Sequence, residues 1–330
     1  MTSPRFRCAL VTGGAGFLGS FLCEELLRRG YEVIAVDNLF RGREENVRHL
    51  GQTGRFVFHR MDLMDGADVR RMREVMVAAG VDIVFHYAAV NGTRYFYDRP
   101  WEVLLTNAGV TANLVRELGK VPTLRKLVYA SSSEVYGSPG KIPTDEDQPI
   151  MLRAYSDRDS YAAGKAIGEF YVRLFAREHA LPFLVLRIFN TYGERMDTSE
   201  YGQVIPEFIR KMLTQDRFEV IGDGTQTRSF CYVEDNVRLS VSAAEMVDEE
   251  ILNVGSQDEV TIAGLARLLH DIAGRPFAPV FSANREHDHP RRCPSISKLV
   301  RLVGDQPGVG LKEGLARVLK HYEHKLGLGR

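Results

Sequence analysis

The chain has 330 residues, 44% of them hydrophobic, which is enough to bury one large or two medium cores. Its 43 basic and 43 acidic residues cancel, so no electrostatic argument favours nucleic acid or an anionic membrane as a partner. No apolar run of about 18 residues suggests a membrane span and no signal-peptide core opens the chain, so a soluble cytoplasmic protein is expected.

Residues 8–12 read as a short strand that opens into Gly13-Gly14-Ala15-Gly16-Phe17-Leu18-Gly19. Phe17, Leu18, Phe21, Leu22 and Leu26 then recur at helical spacing. Gly14-x-Gly16-x-x-Gly19 is the dinucleotide fingerprint, and Gly13-x-x-Gly16-x-x-Gly19 its extended variant. A backbone that turns tightly against a pyrophosphate has no room for Cβ atoms, and the helix N-terminus behind it holds the anion. Gly13, Gly16, Phe17, Leu18 and Gly19 are therefore expected at a dinucleotide. A second strand, 32–36, ends at Asp37 and Asn38. A carboxylate there accepts hydrogen bonds from the adenosine ribose and repels a 2′-phosphate, which favours NAD. Arg41 and Arg43 follow closely and leave NADP a minor alternative.

A third strand, 56–59, leads to Asp62 and Leu63, a position suited to the adenine edge. The plainer use of Asp62 is a helix N-cap, for which Asp65 competes. A helix over 67–79 and a fourth strand over 81–86 follow, ending in Tyr87-Ala88-Ala89, where small residues let the chain run close under a cofactor. The segment 90–97 carries Asn91, Thr93, Arg94 and three aromatics; it reads either as a wall facing a substrate or as a loop packed by its own rings. The helix from Pro100 to Leu118 places Asn107 beneath the strand ends, among the residues expected at the cofactor.

The fifth strand is an apolar run, Leu127-Val128-Tyr129-Ala130, that breaks into Ser131, Ser132, Ser133 and Glu134. Ligands of open α/β sheets bind at such carboxyl ends. Downstream, Tyr161 and Lys165 stand at i and i+4, on one helix face. A Tyr that serves as a base near neutrality must drop by roughly 3 pKa units, about 4 kcal/mol. A Lys cation within about 4–6 Å supplies about 1–3 of those units, and a positively charged nicotinamide the remainder. An isolated Y-x-x-x-K is usually an ordinary helix Tyr beside a solvated Lys; the glycine fingerprint and Asp37 upstream give this one a cofactor to serve.

A sixth strand, 183–188, ends at Asn190, and the β-α alternation with right-handed crossovers makes an α/β fold, a Rossmann doubly wound parallel sheet. From about residue 190 the elements shorten and Gly, Pro and Arg breaks multiply. Strand-like stretches at 229–232 and 252–254 are expected to return to the main sheet, and helices at 261–273, 295–302 and 311–326 to complete a smaller C-terminal α/β substrate lobe. The expected division is a dinucleotide domain over 1–190, with a returning segment over about 229–255, and a substrate lobe over the rest of 191–330. Arg228, Arg291 and Arg292 stand in loops of that lobe, and guanidinium forks suit a diphosphate as readily as they suit solvent. Cys8, Cys23, Cys231 and Cys293 form no C-x-x-C pair and read as buried free thiols. His287 and His289 lack cysteines or paired carboxylates at ligand spacing, so no metal is expected.

With these motifs together, the chain resembles, nearly end to end, the extended short-chain dehydrogenase/reductase family of nucleotide-sugar epimerases, dehydratases and decarboxylases. Ser-Ser-Glu-Val-Tyr-Gly (132–137), Arg-Ile-Phe-Asn-Thr-Tyr-Gly (187–193) and the block 222–233 carry the resemblance beyond the general motifs. It implies a tightly held NAD, with Tyr161 as base, Ser132 as its hydrogen-bond partner and Lys165 on the nicotinamide ribose. It also implies Asn190, Val204, Arg228 and one of Arg291 and Arg292 around a nucleoside diphosphate, with UDP the first expectation and GDP or dTDP admitted. Members oxidise the sugar at C4 and differ in what the 4-keto sugar does next. Dehydratases of the family carry Asp-Glu where this chain has Ser133-Glu134, and Ser133 cannot supply an acid of suitable pKa, so 4,6-dehydration is disfavoured. Ser-Glu-Val-Tyr-Gly resembles the UDP-glucuronate decarboxylases. Their Pro-rich segment after the fourth strand is replaced here by 90–96, however, and their Tyr-Asp-Glu-Gly-Lys by Tyr161-Ala-Ala-Gly-Lys165. The expectation is a 4-epimerase, with decarboxylation the runner-up, Arg94 a sugar contact, and a catalytically quiet NAD-binding sensor the reading from another class. A homodimer is expected through the helix after Pro100 and the Tyr161 helix, whose outward residues include Phe170 and Leu174.

Overall fold

The structure, a computed structural model, describes residues 5–92, 94–197, 202–215, 217–282 and 290–327. His287, His289 and Thr93 lie outside the described residues. The first half alternates β1 (Cys8–Thr12), α1 (Phe17–Arg28), β2 (Glu32–Asp37), β3 (Phe56–Arg60), α2 (Gly66–Ala79), β4 (Ile83–His86), α3 (Tyr95–Asp98), α4 (Pro100–Leu118), β5 (Lys126–Ser132), α5 (Ser160–His179) and β6 (Phe183–Ile188). The second half continues with β7 (Thr191–Tyr192), α6 (Val204–Thr214), β8 (Phe218–Ile221), β9 (Thr227–Ser229), β10 (Cys231–Tyr232), α7 (Val233–Met246) and β11 (Glu250–Val254). It closes with β12 (Glu259–Thr261), α8 (Ile262–Ala273), β13 (Pro279–Ser282), β14 (Arg291–Arg292), α9 (Ser297–Val303) and α10 (Leu311–Lys325).

Seven parallel strands in the order β3-β2-β1-β4-β5-β6-β11 form the main sheet. Every residue of β1 and β5 is buried, as expected of parallel strands covered on both faces. Alternate side chains of β1 feed two cores: Ala9 and Val11 pack with Leu22 and Leu26 of α1 and Val237 of α7, whereas Cys8 and Leu10 pack with Met72 of α2, Leu114 of α4 and Val172 of α5. Each Val, Leu and Met among them contributes about 1.5–3 kcal/mol on burial, so the sheet is fixed from both sides and its carboxyl edge is a rigid platform. Strand order reverses between β1 and β4, which opens a crevice at their carboxyl ends.

Two glycines shape that crevice. Gly13 has φ +70°, and a Cβ on it would stand 2.8 Å from the Ala88 nitrogen, so the loop after β4 closes on the turn because the side chain is missing. A Cβ on Gly19 would stand 2.0 Å from the Gly13 carbonyl oxygen, so the third glycine lets α1 start hard against the turn. Asp65 caps α2 by accepting from the Ala67 nitrogen at 2.7 Å, which leaves Asp62 free of that duty. Pro100 sits at the start of α4, where its missing N–H costs nothing.

The expected return of 229–232 to the main sheet does not occur. β9 pairs with β12 and β14, β10 pairs with β7, and of the two expected returning stretches only β11 joins the main sheet, beside β6. Strands of three and two residues separated by the buried Phe230 are too short to extend a long parallel ladder, and they serve the second lobe instead. Among the described residues, no helix is long and apolar enough to cross a membrane.

Candidate active site

A cavity of about 1770 Å³ runs along the carboxyl ends of β1, β2, β4 and β5 and on into the second lobe. It exceeds the roughly 300–1,000 Å³ of a single-ligand pocket, so two molecules fit end to end. At one end it is lined by Gly13, Gly16, Phe17, Leu18 and Gly19 of the turn into α1, by Asp37 and Asn38 after β2, by Asp62 and Leu63 after β3, and by Ala88 and Ala89 after β4. Asp37 is buried and accepts from the Ala15 nitrogen at 3.1 Å and the Leu39 nitrogen at 2.8 Å. Burial pushes its pKa above the ordinary value, against the pull of these donors. Asn38 donates to Asp62 at 3.2 Å and so joins the loops after β2 and β3.

Arg41 does not offer a phosphate site. Its guanidinium donates to Asp197 at 2.7 Å and to the Asn91 carbonyl, and lies 5.3 Å from the centre of the Tyr95 ring. It therefore ties the loop after β2 to the loops after β4 and β7 across the cavity. Asn107 also departs from expectation: it does not line the cavity. Its short side chain is consumed by the backbone of Val90, accepting from the nitrogen at 2.8 Å and donating to the oxygen at 3.0 Å, so it props the loop after β4.

In the middle of the cavity β5 ends at Ser132, followed by Ser133 and Glu134, and α5 presents Tyr161 and Lys165. Tyr161 is 6% exposed, and its ring stacks on Phe96 with centroids 4.9 Å apart. Such a pair is worth about 0.5–1.5 kcal/mol, enough to hold the phenol in one orientation. Phe96 thus decides the reading of 90–97: its rings pack the site, while Asn91, Tyr95 and Tyr97 of the same segment line the cavity. Burial pushes the Tyr161 phenol up, a hydrogen bond with Ser132 pulls it down, and the charge of Glu134 raises it. The pull thus comes from Ser132, where the i, i+4 spacing alone suggests Lys165. Lys165 donates to the Ala130 carbonyl at 2.7 Å, and burial lowers its ammonium to about 7, with Glu169 acting the other way.

Beside Tyr161, Glu134 is clamped by two arginines: Arg158 donates to it at 2.9 Å, and Arg292 forks onto both of its oxygens. Burial alone would raise the Glu134 pKa, but the two guanidiniums outweigh it and hold the carboxyl far below the ordinary range. Glu134 is therefore an ionised carboxylate at neutral pH rather than a proton donor. Arg158 escapes a reading of the sequence because Asp157-Arg158-Asp159 looks like any solvated turn; its place three residues before Tyr161 is the one available signal.

Strand alternation separates the two neighbouring arginines. Arg292 is buried and lines the cavity, whereas Arg291 points outward and forks onto Glu259 at 2.6–3.1 Å. Arg228 lies opposite Arg292 in the pairing of β9 with β14 and also lines the cavity, as do Asn190 and Val204. Arg94 does not: it is exposed and pairs with Asp98 one turn on at 3.0 Å, a helical i, i+4 contact.

The NAD dependent epimerase/dehydratase family matches this chain over residues 9–255. The chain belongs to that family. Across 96% of its length it is 36% identical to the UDP-N-acetyl-alpha-D-glucosaminuronate decarboxylase of Bacillus cytotoxicus, covering 97% of that protein. Its fold is similar to that of the UDP-glucose 4-epimerase of Thermotoga maritima, solved with UDP-glucose (TM-score 0.88, 30% identity, 97% of this chain and 99% of that one). It is also similar to that of the UDP-glucuronic acid 4-epimerase of Bacillus cereus, solved with UDP-glucuronic acid and NAD (TM-score 0.86, 28% identity, 96% and 99%). As a member of the NAD dependent epimerase/dehydratase family the chain is an enzyme that uses NAD. Its residues fit that cofactor: the cradle at Gly13 and Gly19 excludes a Cβ, and Asp37 stands at the end of β2 with Arg41 engaged elsewhere.

Proposed function

We propose that this enzyme oxidises C4 of a UDP-linked hexuronic acid and releases its C6 carboxylate as CO₂, leaving a UDP-pentose. The observation that carries the reading is Glu134, ionised and clamped by Arg158 and Arg292 beside Tyr161. Two guanidiniums clamp one carboxylate, so the cluster keeps a net positive charge, which attracts a substrate carboxylate and gives a neutral hexose little to answer. Both the first-choice expectation from sequence, 4-epimerisation, and its runner-up, decarboxylation, are represented among the similar proteins, and the 36% identity to a uronate decarboxylase supports putting decarboxylation first.

In this reading Gly13, Gly16 and Gly19 hold the pyrophosphate of NAD, Asp37 the adenosine ribose, Asp62 and Leu63 the adenine edge, and Lys165 the nicotinamide ribose. Arg228, Arg292, Asn190 and Val204 surround the UDP-sugar. NAD supplies the acceptor for the C4 hydride and, once reduced, the hydride that returns there. Tyr161 takes the proton of the C4 hydroxyl while Ser132 shares it. The 4-keto sugar is then a β-keto acid. The C5–C6 bond breaks, CO₂ leaves, and the electron pair spreads over C5, C4 and O4 as an enolate, which Tyr161, now protonated, and Ser132 stabilise by hydrogen bonds to O4. C5 then takes a proton from water. Ser133 supplies no acid for a departing hydroxyl, which argues against dehydration.

A second reading, C4 epimerisation with the carboxylate kept, is favoured by Ala162 and Ala163 within Tyr161-Ala-Ala-Gly-Lys165, where decarboxylases carry acidic residues. Product NMR after incubation with UDP-glucuronic acid, UDP-N-acetylglucosaminuronic acid and UDP-glucose separates them. A UDP-pentose or 4-keto pentose from either uronate supports decarboxylation, inverted C4 with C6 intact supports epimerisation, and no change in any sugar defeats both.

The same proposal includes a homodimer built on α4 and α5, which pack together and leave Trp101, Leu105, Phe170 and Leu174 exposed. Four buried free thiols support a cytoplasmic setting.

A further inference from the structure

We propose that Glu169 and Arg187, a buried ion pair behind the reacting groups, are positioning residues that set Lys165 and the Ser131–Ser132 strand end for proton transfer. The proposal rests on the reading above in which Tyr161 and Lys165 serve hydride transfer at C4.

Tyr161, Lys165 and Glu169 follow one another at i, i+4 and i+8 on α5 and face β5 from a single helix face. Glu169 is 5% exposed and Arg187, on β6, 4%. Arg187 binds Glu169 bidentately, Nε to Oε1 at 3.0 Å and Nη2 to Oε2 at 2.9 Å. The Ser131 hydroxyl donates to the same Oε1 at 2.5 Å. Ser131 stands between Ala130, whose carbonyl accepts from Lys165, and Ser132, the partner of Tyr161. One carboxylate thus fixes, from behind, the strand residue flanked by both contacts of the reacting pair. The other half of the ion pair reaches the opposite wall. The Arg187 guanidinium lies 4.7 Å from the centre of the Tyr136 ring, in the same turn as Glu134, and the Tyr136 hydroxyl donates to Asn253 at 2.7 Å. Asn253 in turn donates to the Ser295 carbonyl at 3.1 Å, three residues past Arg292. Neither Glu169 nor Arg187 lines the large cavity.

An apolar pair of similar volume could fill this space with equal or greater stability, since burying two charges costs about as much as their attraction returns. What an apolar pair would lack is a carboxylate one turn beyond Lys165 on the same helix face that bonds Ser131. The groups around that ammonium are His86 on β4, neutral through burial, Tyr129 on β5, Tyr161 and Glu169 on α5, and Glu134 beyond Tyr161. Among them Glu169 is the carboxylate that sustains the charge on Lys165 against burial.

The test compares wild type, Glu169→Gln and the double variant Glu169→Gln/Arg187→Gln, which leaves no lone buried charge. Two readouts are taken: the pH profile of kcat, and the titration of Lys165 by NMR of ¹³Cε-labelled lysine, assigned through Lys165→Met. Loss of the nearby negative charge favours the neutral amine, so Lys165 should lose its proton at lower pH. The alkaline limb of kcat should then move to lower pH, with kcat at pH 8 falling about tenfold or more and KM staying within about twofold. The double variant should fold by circular dichroism and keep the shift. A folded double variant whose two profiles superimpose on wild type overturns the proposal. So does a KM effect without a kcat effect, or loss of fold in both variants, which would make the pair a folding requirement. Absence of any hydride transfer in the wild type would defeat the catalytic reading instead, while the Lys165 titration would still judge the positioning.

Discussion

At the scale of single residues, the proposed chemistry converges on Tyr161, held by Phe96 and bonded to Ser132, with its phenol pushed up by burial. Tyr161→Phe removes the hydroxyl and keeps the stacked ring, so kcat should fall by about 10²–10⁴ with little change in stability or in affinity for the nucleotide sugar. Steady-state kinetics with calorimetric binding checks this, and unchanged turnover would remove Tyr161 from the mechanism. The residues that carry this site divide by how they announce themselves in sequence. Tyr161, Lys165, Ser132 and the glycines are legible because each requirement, a shared helix face, a strand end or the absence of a Cβ, leaves a fixed spacing. Arg158 and Glu169 are not, because a charged residue in a turn or on an amphipathic helix looks solvated until its partner is known. For Glu169 that partner is Arg187, 18 residues away on another element. The regular spacing of Tyr161, Lys165 and Glu169 was the available hint.

At the scale of elements, loops after β2, β4 and β7 meet at Arg41, which bonds Asp197 and the Asn91 carbonyl and covers Tyr95. A partly exposed ion pair is worth up to about 1 kcal/mol, so Asp197→Asn, which leaves the Tyr95 contact in place, should release NAD up to roughly 5 times faster. Nucleotide retained after repeated gel filtration reads this directly, and retention equal to wild type would make the Arg41 contact irrelevant to holding the cofactor. The sequence placed Arg41 as a competing phosphate ligand because it cannot show which distant loop supplies a carboxylate. The same limit explains Arg291 and Arg292: adjacent arginines are equivalent until strand β14 turns one to Glu259 and the other to Glu134. It also explains 229–232, where strand propensity was legible but the choice of partner strand was not, since pairing is decided by tertiary packing rather than by the strand itself.

At the scale of the whole molecule, the alternation of strand and helix already implied the parallel sheet, because right-handed crossovers leave few ways to arrange it. The second lobe was less legible because its strands are two to four residues long. Trp101 is 71% and Phe170 53% exposed on the paired α4 and α5, and apolar surface of this kind on two adjacent helices suits a second copy. Light scattering at micromolar concentration should give a dimer, and Phe170→Glu a monomer; a monomeric wild type would reject this interface. The central claim is the loss of a carboxylate. The most direct measurement is ¹³CO₂ release from UDP-glucuronic acid and UDP-N-acetylglucosaminuronic acid labelled at C6. One equivalent of ¹³CO₂ should appear for each sugar converted from at least one of the two, and about 10²–10⁴ times more slowly from Tyr161→Phe. A product that keeps the label at C6 with C4 inverted would contradict it.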